Sequence, residues 1–197
     1  MGQKRAIEPA GWLVRLAQRL MGDKRGVAAI EFAMIVPIMF FLFVGSVEFS
    51  QALTVDRRVT QIASSTADLI ARERTTTTAE LDGIMQIINH LLQPYDTTRL
   101  RLTVLNVFSA IDDATNTRVC WSYNHNGGTN TYANNAQYDL PDGILEAGNS
   151  VIVAEVRYNY QPLIFNYFIE NAFVLEEIFY LKPRLSKSVE YNGNKCL

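Results

Sequence analysis

One carboxylate lies inside the longest apolar run of this sequence. The run extends from Val27 to Val47, 21 residues in which Glu31 is the only charged side chain. A carboxylate at the middle of a membrane helix costs about 2.5–3.5 kcal/mol by insertion scales, so one that persists must reach a partner or the headgroups. Gly26 directly precedes the run, and glycine leaves an extended peptide bond open to a peptidase because it has no side chain.

Two roles for Glu31 remain open at this point. If the chain is cut after Gly26, the new α-amine of Val27 lies one to two helical turns from Glu31 on a neighbouring subunit. An ammonium–carboxylate pair is strongly attractive in the low dielectric of a membrane, and it would set the axial register of the two helices. If no such pair forms, Glu31 extends to the cytoplasmic headgroups from its position near the end of the span.

The two cysteines, Cys120 and Cys196, form a disulfide candidate. Both follow the apolar run, and a disulfide persists if this part of the chain is exported. Two free buried thiols are the alternative. Two cysteines alone cannot complete a tetrahedral zinc site.

The remaining reactive side chains do not form a catalytic set. The two histidines are His90, in a predicted helix beside leucines, and His125, in an Asn/Gly-rich loop where we expect it to be solvated. No motif for a hydrolase nucleophile, a zinc protease or a phosphate loop occurs. Asp112-Asp113 is interpreted as a solvated turn. We therefore predict no enzymatic activity, no cofactor, no metal site and no small-molecule substrate.

The apolar run has the length and flanking charge of a membrane anchor. A helix of 21 residues is about 31 Å long, close to the thickness of a hydrocarbon core. Residues 1–26 hold six Lys/Arg and two acidic residues, a net of +4, whereas the rest holds 12 basic and 18 acidic residues, a net of −6. Within 20 residues of the run, the N-terminal side holds four Lys/Arg and the C-terminal side only Arg57 and Arg58. The positive-inside rule therefore places the N-terminus in the cytoplasm and exports the C-terminal part. No basic patch typical of nucleic-acid binding occurs.

Hydrophobic periodicity predicts two helices after a basic leader. Residues 11–21 predict a short basic helix on the cytoplasmic leaflet. One long helix is predicted from 28 to 73, kinked at Pro37, which removes a backbone hydrogen bond. Its second half carries an amphipathic stripe, and a second helix from Glu80 to Leu92 ends at Gln93-Pro94. The stripe of the first is Val55, Val59, Ile62, Thr66, Leu69 and Ile70, and that of the second is Leu81, Ile84, Ile87, Ile88 and Leu91.

Alternating residues predict strands in the remainder. Strands are expected at 99–108, half-buried, at Thr117–Tyr123 and at Ser150–Tyr160, with a final strand through Phe179–Val189. Residues 74–78 and 124–137 are predicted as exposed loops, and the aromatic stretch after Pro162 has no clear assignment. The predicted fold is α+β, a long N-terminal helix packed on a small antiparallel sheet. Its parts are a basic cytoplasmic leader (1–26), a transmembrane helix (27–48), its amphipathic continuation (49–73) and an exported head (74–197).

The stretch RGVAAIEFAMIVPIMFFLFVGSVEFSQAL, which begins at Arg25, resembles a known family. A glycine followed by four residues and Glu31-Phe32, a basic leader, Pro37 and a second Glu-Phe at 48–49 are together similar to the N-terminal segment of TadE-like proteins of the tight-adherence (Tad/Flp) pilus. The resemblance covers residues 24–72. It implies a class III prepilin signal that a membrane aspartyl prepilin peptidase cuts between Gly26 and Val27, with methylation of the new amine.

The same resemblance implies a minor pilin, or pseudopilin, with a pilin-like head that is needed for pilus assembly. The implied partners are the membrane, the prepilin peptidase, other pilin and pseudopilin subunits and the inner-membrane assembly platform. The implied location is the bacterial inner membrane, with the head periplasmic or carried into an extracellular pilus. Two alternatives remain: an anchored scaffold whose leader is never removed, and an adhesive binding module that uses the Asn/Gly/Tyr loop at 123–138.

Overall fold

The chain divides into two units at the boundary between Val47 and Glu48. The computed structural model describes residues 26–162 and 173–196, together with Arg15 and Arg19. The predicted basic helix at 11–21 lies outside the described residues except for Arg15 and Arg19, which are helical and exposed. Residues 163–172 of the aromatic stretch also lie outside them.

A single helix, α1, runs from Val27 to Ala71 and continues through Pro37. In the first unit, every residue from 26 to 43 is exposed. The helix is long and apolar enough to cross a membrane. Because an apolar helix exposed on all sides is not stable in water, this segment needs lipid or other subunits around it.

Within the second unit, α1 contributes one face to the core of the head. Buried residues recur every three or four positions, as an amphipathic helix requires. Three alanines at intervals of four lie among them, and their small side chains allow the helix backbone to approach the sheet closely. Leu69, which was predicted in this stripe, is only half-buried. The buried residues are Val55, Val59, Ile62, Ala63, Thr66, Ala67, Ile70 and Ala71.

The second helix, α2, runs from Thr78 to Leu92 and begins with a capping box. The side chain of Thr77 accepts a hydrogen bond from the backbone of Glu80, whose carboxylate accepts from the backbone of Thr77. Two donors at the helix start are thereby satisfied. The prediction of Ile87 on the inner face is wrong, since Ile87 is 59% exposed. The buried face is Leu81, Met85, Ile88 and Leu92.

Four strands form an antiparallel sheet that supports both helices: β2 (Leu100–Ser109), β3 (Thr117–His125), β4 (Ser150–Tyr160) and β5 (Phe173–Leu181). Their order in the sheet is β3-β2-β4-β5. The pairing aligns Val104 of β2 with Tyr123 of β3 and with Ala154 of β4. A bulge in β3 leaves Cys120 without a partner on β2, opposite the step from Asn106 to Val107. The predicted fold class, a long N-terminal helix with a small antiparallel sheet, is confirmed.

The central strands are buried on both faces, whereas half-buried strands were predicted. One face of β2 and β4 packs against α1 and α2, through residues such as Leu102 and Val156. The other face, including Leu105 and Val153, lies under the connections after β3 and before β4, which contribute Tyr138 and Leu145. The loop predicted to be exposed at 124–137 is therefore partly packed on the sheet.

Two assignments, at residues 179–189 and 74–78, are corrected. The last strand of the sheet is Phe173–Leu181 rather than Phe179–Val189, because the pairing with β4 ends where Leu181 meets Ile152. Residues 74–78 are not wholly a loop. Strand β1 (Thr75–Thr76) pairs in parallel with β6 (Glu190–Tyr191), a contact too short and too distant in sequence to leave a local pattern.

Candidate processing and assembly site

The peptide bond between Gly26 and Val27 lies at the start of α1. Gly26 is exposed, and the helix begins at the next residue. A Cβ placed at Gly26 would meet no atom within 4 Å, and its φ lies outside the left-handed region. The fold of the chain itself therefore does not require glycine at this position.

Glu31 lies one helical turn from Val27 on the same face of α1, because residues four apart are neighbours on a helix. Its side chain is exposed, and Phe32 beside it is 68% exposed. Residues 26–47 contain no lysine or arginine. Within residues 26–47, a cationic partner for Glu31 can therefore arise only as a new amine at Val27.

The structure brings Gly26, Val27, Glu31 and Phe32 together within two turns of helix, and Pro37 follows inside the same helix. Cys120 and Cys196 lie in the head and form a disulfide, with Cα atoms 5.5 Å apart across 76 residues of sequence. Among the described residues, no group of three or more His, Cys, Asp or Glu could hold a metal ion.

Comparison with known proteins identifies the helical segment. The family model described as "TadE-like protein" matches residues 26–68, that is 43 of the 197 residues. Over this segment the chain is TadE-like. The match begins at Gly26 and ends inside the part of α1 that packs in the head. No curated protein and no solved structure matches the chain.

The TadE-like match indicates in general terms what this segment does. It implies association with a Tad pilus and anchoring by the N-terminal helix, which agrees with the length and hydropathy of α1. TadE-like proteins are structural components of the pilus rather than a family of enzymes. The head lies almost entirely outside the residues that the family model matches, so its role rests on its own geometry.

Glu155 accepts hydrogen bonds from four side chains of the head, and sequence reasoning missed it. It is 4% exposed on β4. Its carboxylate accepts hydrogen bonds from Thr129 Oγ1 at 2.7 Å and Asn130 Nδ2 at 3.2 Å. It also accepts from Tyr132 OH at 2.7 Å and Tyr138 OH at 2.9 Å. The alternation along β4 predicts that Glu155 lies on a polar face of the sheet. No sequence pattern near Glu155 indicates that a loop covers this face.

These contacts keep two tyrosines protonated. Burial, together with the Glu155 carboxylate, raises the pKa of Tyr132 to about 12. The same causes raise the pKa of Tyr138 further. Both phenols are therefore hydrogen-bond donors across the physiological range. The segment 129–138 is anchored to the sheet through one buried carboxylate.

The prediction that His125 is solvated is wrong. His125 ends β3 and is half-buried. Burial lowers its pKa, and the charge of Asp82 partly opposes this shift. Asp82 lies on α2 and also accepts a hydrogen bond from Tyr123 OH. An Asn/Gly-rich sequence gave no sign that α2 would pack beside this end of β3.

Arg58 is a second residue that the sequence did not single out. Its Nη1 donates to the backbone oxygens of Leu91 at 2.6 Å and Gln93 at 2.7 Å. Its guanidinium also lies over the ring of Tyr95, 5.6 Å from the centroid. The last carbonyls of a helix lack partners within the helix, so Arg58 satisfies the C-terminal end of α2 and links it to α1.

Proposed function

We propose that this chain is a minor pilin, or pseudopilin, of a Tad/Flp type IV pilus, processed between Gly26 and Val27. The observation that carries the proposal is an exposed glycine at which a Cβ would meet no other atom, placed directly before the apolar run Val27–Val47, in which Glu31 is the only carboxylate. Because the fold gives no reason for a glycine here, recognition of Gly26 by a peptidase can explain its presence. Residues 1–26 are then a cytoplasmic leader, and α1 remains as the anchor.

The retained helix supplies the assembly chemistry in this proposal. Removal of the leader frees an ammonium at Val27, and that group pairs with Glu31 of a neighbouring subunit. The exposed apolar surface from 27 to 43 packs in the bilayer before assembly and against other pilin subunits afterwards. The chain sits in the inner membrane with a periplasmic head, and its partners are the prepilin peptidase, other subunits and the assembly platform.

Replacement of Gly26 by leucine tests the processing step. The variant should insert normally, since Gly26 is exposed and a Cβ at this position meets no atom within 4 Å. It should accumulate as the full-length precursor, because leucine obstructs the peptidase cleft. The matched control is Gly83→Leu, at a second exposed glycine where a Cβ also meets no atom within 4 Å. An immunoblot with mature-size protein for Gly26→Leu would refute the proposed cleavage.

A binding role for the head is a compatible second function. The loop at 123–138 is rich in Asn, Gly and Tyr, residue types that adaptable contact surfaces use. Its anchoring through Glu155 gives it a defined shape before any partner binds, which lowers the entropic cost of binding. This observation favours an adhesive module over a passive scaffold, although both would share the membrane anchor.

A further inference from the structure

A tyrosine-lined cleft lies at the end of the head where β4 ends and a 3₁₀ turn, Thr97–Arg99, precedes β2. Its volume is about 650 Å3, within the usual range for small-molecule sites. Three ring systems, an ion pair and a residue of α1 line it. The residues that matter are Gln51, Tyr95, Asp96, Arg99, Tyr158 and Tyr160.

One residue that lines this cleft, Gln51, lies close in sequence to the end of the apolar span. Gln51 follows Val47, the last residue of the first unit, by four residues. Four residues extend at most about 14 Å, even fully stretched. The polar layer of a bilayer adds about 5–8 Å on each side of the hydrocarbon core. Chain length alone thus keeps Gln51 within or beside the headgroup layer.

The charges of the cleft are of both signs. Arg99 Nε lies 3.2 Å from the carboxylate of Asp96, and both side chains are partly exposed. A guanidinium has five N–H groups in a fork that matches phosphate, so Arg99 can hold Asp96 and a phosphate at once. Asp96 remains an acceptor for an ammonium. The pKa of Asp96 is lowered by hydrogen bonds from Thr98 and by the charge of Arg99, which keeps this carboxylate ionised.

The tyrosines suit the same ligand. Tyr158 and Tyr160 are buried, and burial raises the pKa of both, so their hydroxyls stay protonated. The nearby carboxylate of Glu48 raises the pKa of Tyr160 further. Tyrosine is enriched where proteins meet the membrane–water interface.

We infer that this cleft binds the headgroup of a zwitterionic phospholipid, with the phosphate on Arg99 and the ammonium beside Asp96. The paired charges favour phosphoethanolamine over an anionic headgroup, because the ammonium of phosphoethanolamine donates hydrogen bonds to Asp96. Bound lipid would hold this end of the head at the bilayer surface. The inference rests on the membrane anchor of the proposed function and on neither cleavage nor pilus assembly.

Native mass spectrometry of the full-length chain tests this inference. The protein is purified in detergent with phosphatidylethanolamine or phosphatidylglycerol, and the fraction that retains one lipid is measured. The variants are Arg99→Gln, the charge-preserving Arg99→Lys and the control Arg101→Gln, an exposed arginine two residues along β2. We expect wild type, Arg99→Lys and Arg101→Gln to retain phosphatidylethanolamine, and Arg99→Gln to lose about tenfold in affinity through one charge-assisted contact.

Three results would overturn the inference: equal retention by Arg99→Gln and wild type, equal retention of phosphatidylglycerol and phosphatidylethanolamine, or equal competition by inorganic phosphate and glycerophosphoethanolamine. The last would show a simple phosphate site rather than a headgroup site. Carbonate extraction of membranes tests the anchor separately. Wild-type protein that stays in the membrane but shows no selective lipid retention would refute the headgroup site while the anchor stands.

Discussion

Glu31 is surrounded along the chain by apolar residues, and residues 26–47 provide no cation to pair with it. Its exposed position one turn after Val27 makes it accessible to a neighbouring helix. The two roles that sequence reasoning left open, a pair with a freed amine and contact with headgroups, make different predictions for the uncharged analogue.

Glu31→Gln should give a processed and inserted protein that no longer supports pili. The amide cannot form the ion pair, and an unmatched buried ammonium costs about 3–5 kcal/mol. Cleavage continues because Gly26 is five residues away, and Glu31→Lys should be worse because it places two cations together. Immunoblots report processing, and electron microscopy counts pili. The control is Glu73→Gln, at an exposed carboxylate just after α1; pili of normal number in the Glu31→Gln strain would show that Glu31 only contacts headgroups.

His125 should make the head less stable as the pH falls below neutrality. Its pKa is lowered in the folded head by burial, whereas the unfolded chain keeps the ordinary value of about 6.5. The unfolded state therefore binds the proton first, and this stability is lost as the pH falls from about 6.5 through the lower folded pKa. Thermal unfolding of the full-length protein at pH 7.5 and 5.5 measures the effect.

The matched histidine variants separate this effect from general acid sensitivity. His125→Gln should lose less stability between the two pH values than wild type does. His90→Gln, at an exposed position on α2, should behave as wild type. An unchanged difference between pH 7.5 and 5.5 in His125→Gln would rule out a contribution from His125.

At the residue scale, sequence reasoning identified groups whose chemistry is unusual for their local surroundings. Gly26 and Glu31 stand out because charge and apolarity change abruptly around them. Glu155 and His125 could not be recognised, because their burial depends on the return of residues 126–138 over the sheet and on the packing of α2. Such contacts join residues far apart in sequence and leave no periodic signal.

The loop at 123–138 gains its shape from one side chain of the sheet. Glu155 accepts from four donors of this loop, two on each carboxylate oxygen. In Glu155→Gln, one oxygen becomes an amino group that faces donors. A buried donor left without an acceptor costs about 1–3 kcal/mol, so the loop should detach before the head unfolds.

Limited proteolysis and hydrogen exchange detect this detachment. We expect faster cleavage and exchange within residues 126–138 of Glu155→Gln, together with a lower Tm. Glu176→Gln is the control, because Glu176 is exposed and pairs with Arg157 at the edge of the sheet. Equal protection of the loop in Glu155→Gln and wild type would refute its anchoring role.

At the element scale, elements with a periodic pattern within their own residues were predicted more accurately than those that depend on pairing with distant residues. The two helices and β4 have clear periods within their own residues, and Thr77 and Pro94 mark the limits of α2. Strand β5 was misplaced because apolar and aromatic residues continue from 163 to 181 without clean alternation. The short β1–β6 pairing joins residues more than 110 positions apart and could not be found locally.

For the whole molecule, the sequence predicted an α+β fold with a long N-terminal helix and a small antiparallel sheet, and the structure has this fold. The order of the strands was not predictable, because it depends on which apolar faces meet after the chain folds. The TadE-like match describes the helix that anchors the chain and enters the head. The central claim is that the anchor begins at Val27 in the working protein.

The N-terminal sequence of the protein from membranes of cells with an active prepilin peptidase tests this claim most directly. We predict a mature chain that starts at Val27 and lacks residues 1–26, and a full-length chain in cells without the peptidase. Edman degradation or an intact mass resolves the two forms. A full-length chain in both kinds of cell would contradict the claim and favour a permanently anchored scaffold.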